Sequence, residues 1–529
     1  MTRSRAARAP SNASTILGGV VIASALLCVY AIRQADPDLF GYLAYGRLFV
    51  EQGVTAPDPF AYTSTGSQWV AFEYLAQVLL WIAYDTLGPP GLIALKCLLG
   101  GLAIYFLSVA VRTTTADPIV WAPVFLLCTS TVSRYFLFRP QLFTFMFFAL
   151  YVAVLFRFLA KGKASLWLLP VTMLLWANTH GGFLAGLGAI ALTIALRVAG
   201  NVASTGFRVE AAFNDTKRLW LTLAGCALIS LINPHGIRLW QYVLTEVVHD
   251  TNRRYIAEWR PPGPASDPWS AVALTFITVV LLIAGWAAQV CHRRVSGLPP
   301  WLWICSCVPA IALAHISVRH VPLAALWAAP VITLLAAAAW RTPRARIFNL
   351  SWIAIGGCAL VPIVVTMNHI IANPRPAIAT NGATLGPTHP CTAVTFVRQN
   401  GLRGNLYTPL WWGAFITWEL YPDLRVSMDG RNISLFSPDV VEESLRFYSD
   451  SATRRDLDTP LKYATDLLLV PADRPVVELA RHDARWKEIF TDRQSSLFVR
   501  ADSAHEMALS SIGSGRTTAP AGDCARVLR

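Results

Sequence analysis

Apolar residues fall in long runs over the first two thirds of the chain, and basic residues cluster between the runs. A helix of about 20 apolar residues crosses the hydrocarbon core of a bilayer, and several runs approach that length. The pattern predicts eleven transmembrane helices, over about residues 16–32, 91–111, 119–132, 142–158, 166–177, 183–196, 219–232, 271–290, 301–316, 322–339 and 350–371.

The basic residues also predict the orientation. Arg3, Arg5 and Arg8 precede the first run, which places the amino terminus in the cytoplasm. With alternating crossings, nearly every later basic cluster falls on the cytoplasmic side as well. No small-residue cleavage site follows the first run, so we expect that run to stay in place as a span. The sequence therefore predicts a multi-pass protein of a bacterial inner (plasma) membrane with two long external loops, residues 34–90 and 233–270.

The pattern changes after Asn373-Pro374-Arg375-Pro376, a segment typical of a linker. Helices are predicted over residues 393–399 and 411–420, and strands over 405–407, 425–428, 467–470 and 496–499. Strands separated by helices indicate an α/β domain over residues 372–500, outside the cytoplasm, and the Ser/Gly-rich residues 501–529 indicate a flexible tail. The predicted fold class is thus a polytopic α-helical membrane domain, residues 1–371, followed by a soluble α/β domain.

Composition narrows the class of partners. The chain is 54% hydrophobic and 14% charged, with a formal charge of +13. From residue 372 onward there are 18 basic and 18 acidic residues, so the whole surplus lies in residues 1–371. Loop lysines and arginines that orient membrane helices account for such a surplus, and nucleic acid is therefore excluded as a partner. Membrane lipids are the expected surroundings, and the oligomeric state stays open.

Cysteine usage gives one covalent prediction. Most of the ten cysteines lie inside apolar runs, where they pack as small hydrophobic residues, and there is no CxxC pair. Cys391 and Cys524 are the cysteines outside apolar and cytoplasmic segments. Both are expected to face an oxidising compartment, so a Cys391–Cys524 disulfide is predicted.

Polar residues that interrupt or adjoin the apolar runs share one predicted membrane face. Ionisable residues at such positions are costly and often functional, which predicts a single external site. The alternative is that they are ordinary residues that satisfy helix ends. The set is Asp36, Asp38, Glu73, Arg134, Arg139, Asn178, His180, Asn233, His235, Glu258, Arg319 and His320.

A series of short motifs carries a family resemblance over about residues 15–500. In order they are Asp36-Pro37-Asp38, Gly46-Arg47, Asp58-Pro59-Phe60 with Tyr62-Thr63, Trp69-Val70, Glu73 with Leu75-Ala76, Arg139-Pro140-Gln141, Trp176-Ala177-Asn178 with His180-Gly181-Gly182, Asn233-Pro234 with Gly236, Glu258-Trp259, Arg319-His320 with Pro322, and Asp429-Gly430-Arg431. The chain resembles a widespread group of bacterial membrane proteins related to the GT-C glycosyltransferases.

This resemblance implies a polyprenyl-phosphate-linked sugar as donor and transfer with inversion to an extracytoplasmic acceptor. It also implies that an acid of the first external loop, here Asp36 or Asp38, acts as general base or metal ligand, so a divalent cation is one open cofactor. Tyr42 and Phe72 stand where other members of the group often have histidine, which bears on any metal or histidine-assisted role of this loop.

The remaining residue types suggest binding roles. Arg139 and Arg319 are expected to hold the leaving phosphate, with Arg134 and His320 as secondary candidates. The other candidates for contacts with the sugar substrates are Glu73, Asn178, His180, His235 and Glu258.

Simpler interpretations stay open for several motifs. Arg139-Pro140-Gln141 suits a lipid-headgroup anchor, His180-Gly181-Gly182 suits a tight turn between helices, and Asp429-Gly430-Arg431 suits a turn held by a local ion pair. Two other functional classes also remain: a transporter or flippase of a polar lipid, and a non-catalytic membrane assembly protein in which Asp36 and Asp38 are dispensable.

Overall fold

The structure is a computed structural model. It describes residues 12–31, 38–248, 257–340, 352, 389–501 and 517–518, apart from residues 56, 65–68, 163, 206–208, 265 and 293 within those ranges.

The described part of the chain up to residue 340 contains thirteen α-helices. They are α1 Asn12–Ala31, α2 Leu39–Gln52, α3 Tyr74–Leu87, α4 Pro89–Thr114, α5 Pro118–Ser133, α6 Gln141–Lys161, α7 Leu168–Thr179, α8 Phe183–Thr205, α9 Val209–Ile229, α10 Ile237–Val248, α11 Pro268–Cys291, α12 Pro300–Ile316 and α13 Val321–Ala339. Among the described residues, five stretches, those of α4, α6, α8, α11 and α13, are long and apolar enough to cross a membrane. The chain is a multi-pass membrane protein.

The predicted spans correspond closely to these helices. Each of the first ten overlaps one helix, although α9 begins ten residues before the predicted span and ends three residues before its end. The eleventh, residues 350–371, lies outside the described residues except for Trp352, so the count of eleven stays a prediction. Helix α2 follows directly after Asp38 and ends before Gly53. Two helices, α3 and α10, lie inside the predicted external loops and were not expected.

Local sequence features begin several of these helices. Asp117 accepts a hydrogen bond from the Ile119 amide and is followed by Pro118, which starts α5. Asp267 and Pro268 start α11 in the same way, with Asp267 accepting from Ser270. The helices α6 and α13 are the most enclosed of the five long apolar stretches, so they form the centre of the bundle.

The carboxyl-terminal part is a six-stranded sheet with helices. The strands are β1 Gly404–Tyr407, β2 Leu424–Val426, β3 Leu467–Pro471, β4 Trp486–Thr491, β5 Ser495–Arg500 and β6 Thr517–Thr518, and the helices are α14 Cys391–Gln399, α15 Leu410–Leu420, α16 Pro438–Phe447, α17 Asp458–Lys462 and α18 Val476–Arg481. The order is β2-β1-β3-β5-β4-β6. Strands β2, β1 and β3 run parallel, while β5 is antiparallel to β3 and β4. The four predicted strands are β1, β2, β3 and β5, and β6 comes from the predicted tail.

The first loop and the α/β domain share one hydrophobic core. Phe40 of α2 packs edge-on against Phe415 of α15, with ring centroids 5.2 Å apart. The loop also extends the sheet at β2, because the Tyr62 amide donates to Val426 O at 3.1 Å and the Val426 amide donates to Phe60 O at 2.9 Å. The domain is therefore held directly against the segment that carries Asp38.

Candidate functional site

A cavity of about 970 Å³ lies between α6, α8, α12 and α13. Much of its polar lining comes from the segments that join helices, residues 134–139, 180–182, 258–259, 266–267 and 318–320, and Gln141 and Thr144 of α6 add to it. Its lining from the helices themselves is mostly apolar, and on α8 it extends from Leu184 to Ala195. At 1.5 Å per residue these eleven steps cover about 17 Å, so the cavity joins a polar end to a long apolar arm.

Six of the predicted site residues line this cavity. They are Arg134, Arg139, His180, Glu258, Arg319 and His320. They come from four different joining segments that are up to 186 positions apart in sequence, so the fold brings together much of the predicted polar set.

Arg139 connects the cavity to the first loop. Its Nη1 donates to Glu258 Oε1, and its Nη2 lies 3.5 Å from Asp38 Oδ2. Gln141, two residues further on, also reaches Glu258 at 3.4 Å. Asp38 precedes α2, and the backbone of Gly430 in the α/β domain packs against its carboxylate. Asp36, the other predicted base, lies outside the described residues.

His180 stands at the end of α7 and is held by a chain of hydrogen bonds. Its Nδ1 accepts from the Gly182 amide at 2.9 Å and lies 2.9 Å from Thr144 Oγ1. Thr144 in turn accepts from Trp176 Nε1 at 2.9 Å. On the other side of the ring, Nε2 lies 3.5 Å from Glu73 Oε1, so Glu73 reaches the cavity wall through His180 and does not line the cavity itself.

Electrostatics keep His180 neutral. The residue lies in the loop between α7 and α8, where burial lowers its pKa well below the usual value and the charge of Arg319 lowers that pKa further. The Glu73 carboxylate lies 3.5 Å from Nε2 and acts in the opposite direction. His180 is therefore an uncharged group near pH 7.

Two arginines of the cavity stack on tryptophans. The guanidinium of Arg319 lies 4.6 Å from the ring centroid of Trp259, and that of Arg134 lies 5.5 Å from that of Trp269. Such stacking fixes the plane of a guanidinium while leaving its edge N–H groups directed elsewhere. His320 also packs edge-on against Trp259.

Asn178 and His235 do not line the cavity. Asn178 Nδ2 donates to Leu174 O at 2.7 Å and to Ile232 O at 2.9 Å, which ties α7 to the turn after α9. Asn233 forms a turn, since its side chain accepts from the His235 amide and donates to Gly236 O. Burial lowers the pKa of His235, which hydrogen bonds to the backbone of Ala71. These residues support the fold around the site.

The Asp429-Gly430-Arg431 motif forms the predicted local ion pair and also a long-range contact. Arg431 Nη2 donates to Asp429 at 2.6 Å, and its Nη1 donates to Asp58 of the first loop at 2.5 Å. All three side chains are almost fully buried. The guanidinium also lies 4.4 Å from the ring centroid of Tyr45 and 4.7 Å from that of Trp69. We refer to this group of Asp58, Asp429, Arg431 and the two rings as the arginine clasp.

Sequence reasoning missed some residues of this region. Phe72 lines the cavity beside His180, where a histidine was expected for the group, and Thr144 sits unmarked inside an apolar run. Lys96 of α4 is buried, and its Nζ lies 5.0 Å from the ring centroid of Phe138. Phe138 directly precedes Arg139 in the sequence. A lysine in the interior of a predicted span was a signal that could have found it.

A divalent cation does not fit the described surroundings of Asp38. No group of three or more His, Cys, Asp or Glu side chains among the described residues could hold a metal ion. The carboxylate of Asp38 instead faces the guanidinium of Arg139, which already supplies a positive charge there.

Cys391 at the start of α14 is disulfide-bonded. Its predicted partner, Cys524, lies outside the described residues, so the pairing stays a prediction.

Comparison with known proteins gives matches in structure. No family model matches the chain, and no curated protein sequence matches it. The archaeal oligosaccharyltransferase AglB from Archaeoglobus fulgidus, in complex with an inhibitory peptide and a dolichol-phosphate, matches with a TM-score of 0.56 at 13% identity over 86% of this chain and 69% of that one. The arabinofuranosyltransferase AftD from Mycobacteria matches with a TM-score of 0.52 at 13% identity over 94% of this chain and 42% of that one. ArnT from Cupriavidus metallidurans, bound to undecaprenyl phosphate, gives 0.49 at 13% identity over 94% and 99%.

The fold is therefore that of a multi-pass membrane protein with a small sheet domain at its carboxyl end. More specifically, it is the fold of the GT-C glycosyltransferases, as the sequence motifs indicated.

Proposed function

We propose that the protein is a membrane glycosyltransferase that moves a sugar from a polyprenyl-phosphate donor to an extracytoplasmic acceptor with inversion. The observation that carries this proposal is the cavity, whose polar end holds three arginines and whose arm is apolar. A lipid-linked sugar has the matching chemistry, an anionic phosphate head on a long hydrocarbon tail. The structural neighbour AglB has been seen with a dolichol-phosphate, which is a molecule of this class.

The arginines divide into two roles in this proposal. Arg139 is engaged by Glu258 and Asp38, so it orients the first-loop carboxylate. Arg319 and Arg134 line the cavity with their guanidinium planes fixed by tryptophan stacking, so they hold the phosphate. Forked N–H donors of this kind stabilise the negative charge that develops on a departing phosphate.

The first-loop acids supply the base. The acceptor hydroxyl oxygen attacks the anomeric carbon on the face opposite the phosphate and forms the new glycosidic bond. The bond from the anomeric carbon to the phosphate oxygen breaks, and the polyprenyl phosphate leaves with the electron pair. The hydroxyl proton passes to a carboxylate, for which Asp36 and Asp38 are the candidates.

The test is sugar transfer by the purified protein in liposomes, with release of polyprenyl phosphate as readout. We expect Asp36→Asn or Asp38→Asn to lower the rate by about 10²–10⁴-fold, because the amide keeps the shape and cannot accept the proton. The protein should stay folded, as judged by an unchanged thermal midpoint. Activity lost in only one of the two variants assigns the base to that residue.

The same experiment separates the other functional classes. A transporter or flippase would move labelled lipid across the liposome bilayer without releasing polyprenyl phosphate. A non-catalytic assembly protein would do neither. Its biological function would be retained in both the Asp36→Asn and the Asp38→Asn variants. Wild-type protein that never releases polyprenyl phosphate from any of a panel of lipid-linked sugars would contradict the proposal.

A further inference from the structure

One part of the cavity lining combines an exposed cation with an exposed aromatic ring. Arg134, between α5 and α6, and Trp269, in the first turn of α11, both line the cavity, and both are exposed, Trp269 by 49%. The guanidinium lies over the indole, 5.5 Å from the ring centroid. To no residue that the structure describes does this guanidinium donate a hydrogen bond. Its N–H groups and much of the indole are therefore open to a ligand.

Hydrogen bonds fix the two residues relative to each other. Both carboxylate oxygens of Asp267 accept from Ser270, from its amide at 3.1 Å and from its hydroxyl at 2.6 Å. Ser270 Oγ also lies 2.5 Å from Oη of Tyr135, which directly follows Arg134. The first turn of α11 is therefore tied to the segment that carries the cation, so the fold itself places Trp269 beside Arg134.

The other stacked pair of the cavity does not offer a ring surface of this kind. Trp259, the partner of Arg319, is almost fully buried, and His320 packs edge-on against its ring. Arg319 can therefore contact an anion from a covered ring, whereas the ring of Trp269 is itself available to a ligand.

A sugar has the chemistry that an exposed indole beside an arginine recognises. The faces of a sugar ring carry C–H groups with partial positive charge, which pack on the negative face of an aromatic ring. In the proposed function Arg134 holds the phosphate of the donor lipid, and the donor's sugar is bonded directly to that phosphate. The group that lies next to Arg134 is then the sugar.

We propose that Trp269 is the platform on which the sugar of the lipid-linked donor stacks while Arg134 holds its phosphate. This inference rests on the proposed function for the identity of the donor. It makes Trp269 a residue that distinguishes the sugar-bearing lipid from the bare lipid phosphate.

A tryptophan at the head of an apolar helix can also be a membrane-interface anchor, and the chain contains a matched control for that role. Trp301 is the second residue of α12, after Pro300, just as Trp269 is the second residue of α11, after Pro268. Trp301 is exposed by 52%, and it is not one of the residues that line the cavity.

The experiment measures binding of lipids to the full chain in detergent. The probes are undecaprenyl phosphate and a panel of undecaprenyl-phosphoryl hexoses and pentoses. We expect Trp269→Leu to weaken binding of the preferred sugar-bearing lipid about tenfold and to leave undecaprenyl phosphate within about threefold of wild type. Trp269→Phe keeps an aromatic face and should stay within about threefold for both probes. Trp301→Leu should bind both as wild type does.

Oxidation by hydroxyl radicals, followed by mass spectrometry, gives a second readout on the unaltered protein. The sugar-bearing lipid should protect Trp269 more strongly than undecaprenyl phosphate does. Trp301 should be oxidised equally without lipid and with either probe.

Distinct outcomes overturn the inference and the proposed function. Equal loss of both probes in Trp269→Leu would show that the ring acts only through Arg134. Unchanged affinity for both probes in that variant, or equal protection of Trp269 by the two lipids, would also overturn the platform. Slower sugar transfer with unchanged affinities would instead place the ring on the acceptor. Wild-type protein that binds none of the lipids would contradict the proposed function and the inference with it.

Discussion

At the scale of single residues, the arginine clasp is an almost fully buried group of charges that lies outside the cavity. Two carboxylates and one guanidinium are enclosed with almost no access to water. Burying such groups is costly, and the cost is offset only while each charge keeps its partners. The clasp therefore contributes mainly to specificity, because other arrangements of the first loop and the α/β domain would leave buried charges without partners and would be higher in free energy.

Arg431→Met should destabilise the protein by about 3–5 kcal/mol, because it leaves Asp58 and Asp429 buried without their cation. The measurement is the thermal or denaturant midpoint in detergent. The matched control is Arg403→Met, whose exposed pair with Asp423 at 3.1 Å should contribute less than about 1 kcal/mol. Equal midpoints for the two variants would show that the clasp does not hold the domain in place.

A second residue prediction concerns Gly430, which touches the candidate base. A methyl group there would lie 2.4 Å from Asp38 Oδ1, so Gly430→Ala must displace the carboxylate or the loop. We expect at least a tenfold loss of sugar transfer with a small change in stability, since a displacement of about 1 Å at a reacting group costs about 10²-fold in rate. Gly19→Ala, where the methyl group meets nothing within 4 Å, is the control and should behave as wild type.

At the scale of elements, helices α2 and α3 of the first loop pack closely against each other at Gly46. A Cβ atom at Gly46 would lie 2.2 Å from the carbonyl oxygen of Gln77, which is backbone and cannot turn aside. We predict that Gly46→Ala separates the two helices and lowers the free energy of unfolding by about 1–3 kcal/mol. Thermal midpoints of Gly46→Ala and Gly19→Ala in the same detergent test this, and equal values would contradict it.

The five long apolar helices α4, α6, α8, α11 and α13 could be predicted from sequence because long apolar runs have few alternatives in a bilayer. Helix α3 could not, because its 14 residues are too short to cross and lack a clear polar face. Helix α10 was hidden because a short amphipathic segment between spans resembles an ordinary loop.

The sequence predicted many of the residues of the candidate site, but fewer of the contacts that these residues make. The sequence marked Arg139, His180 and Arg319 because polar residues stood out at the ends of apolar runs. It did not show that Asn178 faces a neighbouring helix, because a helix end and a ligand site select the same residue types. The contact from Arg431 to Asp58 spans 373 positions, and no local pattern in one sequence encodes such a pair.

At the scale of the whole molecule, the α/β domain packs on the first loop, so both must lie on the same side of the membrane. This agrees with the orientation proposed from the basic residues, which puts both outside the cytoplasm. A disulfide at Cys391 is consistent with an oxidising compartment.

We predict that Cys391 pairs with Cys524, which would fasten the end of the chain to the start of the domain. Non-reducing mass spectrometry of the membrane-extracted protein should recover the two cysteine peptides joined. Cys524→Ser should free the Cys391 thiol for alkylation and lower stability by up to about 4–5 kcal/mol, the chain-entropy value for a loop of this length. Recovery of Cys391 joined to a different cysteine would contradict the pairing. A free Cys391 thiol in the wild-type protein would contradict the placement of the domain in an oxidising compartment.

The arginine clasp also sets the order in which the molecule can be completed during synthesis. Asp58 and Arg431 are separated by 373 residues, which a ribosome adds in about 20–75 s at 5–20 residues per second. Throughout that interval the growing chain contains Asp38 without Gly430, whose backbone packs against the Asp38 carboxylate in the complete protein. The proposed base can therefore take up its final surroundings only after the α/β domain has been synthesised.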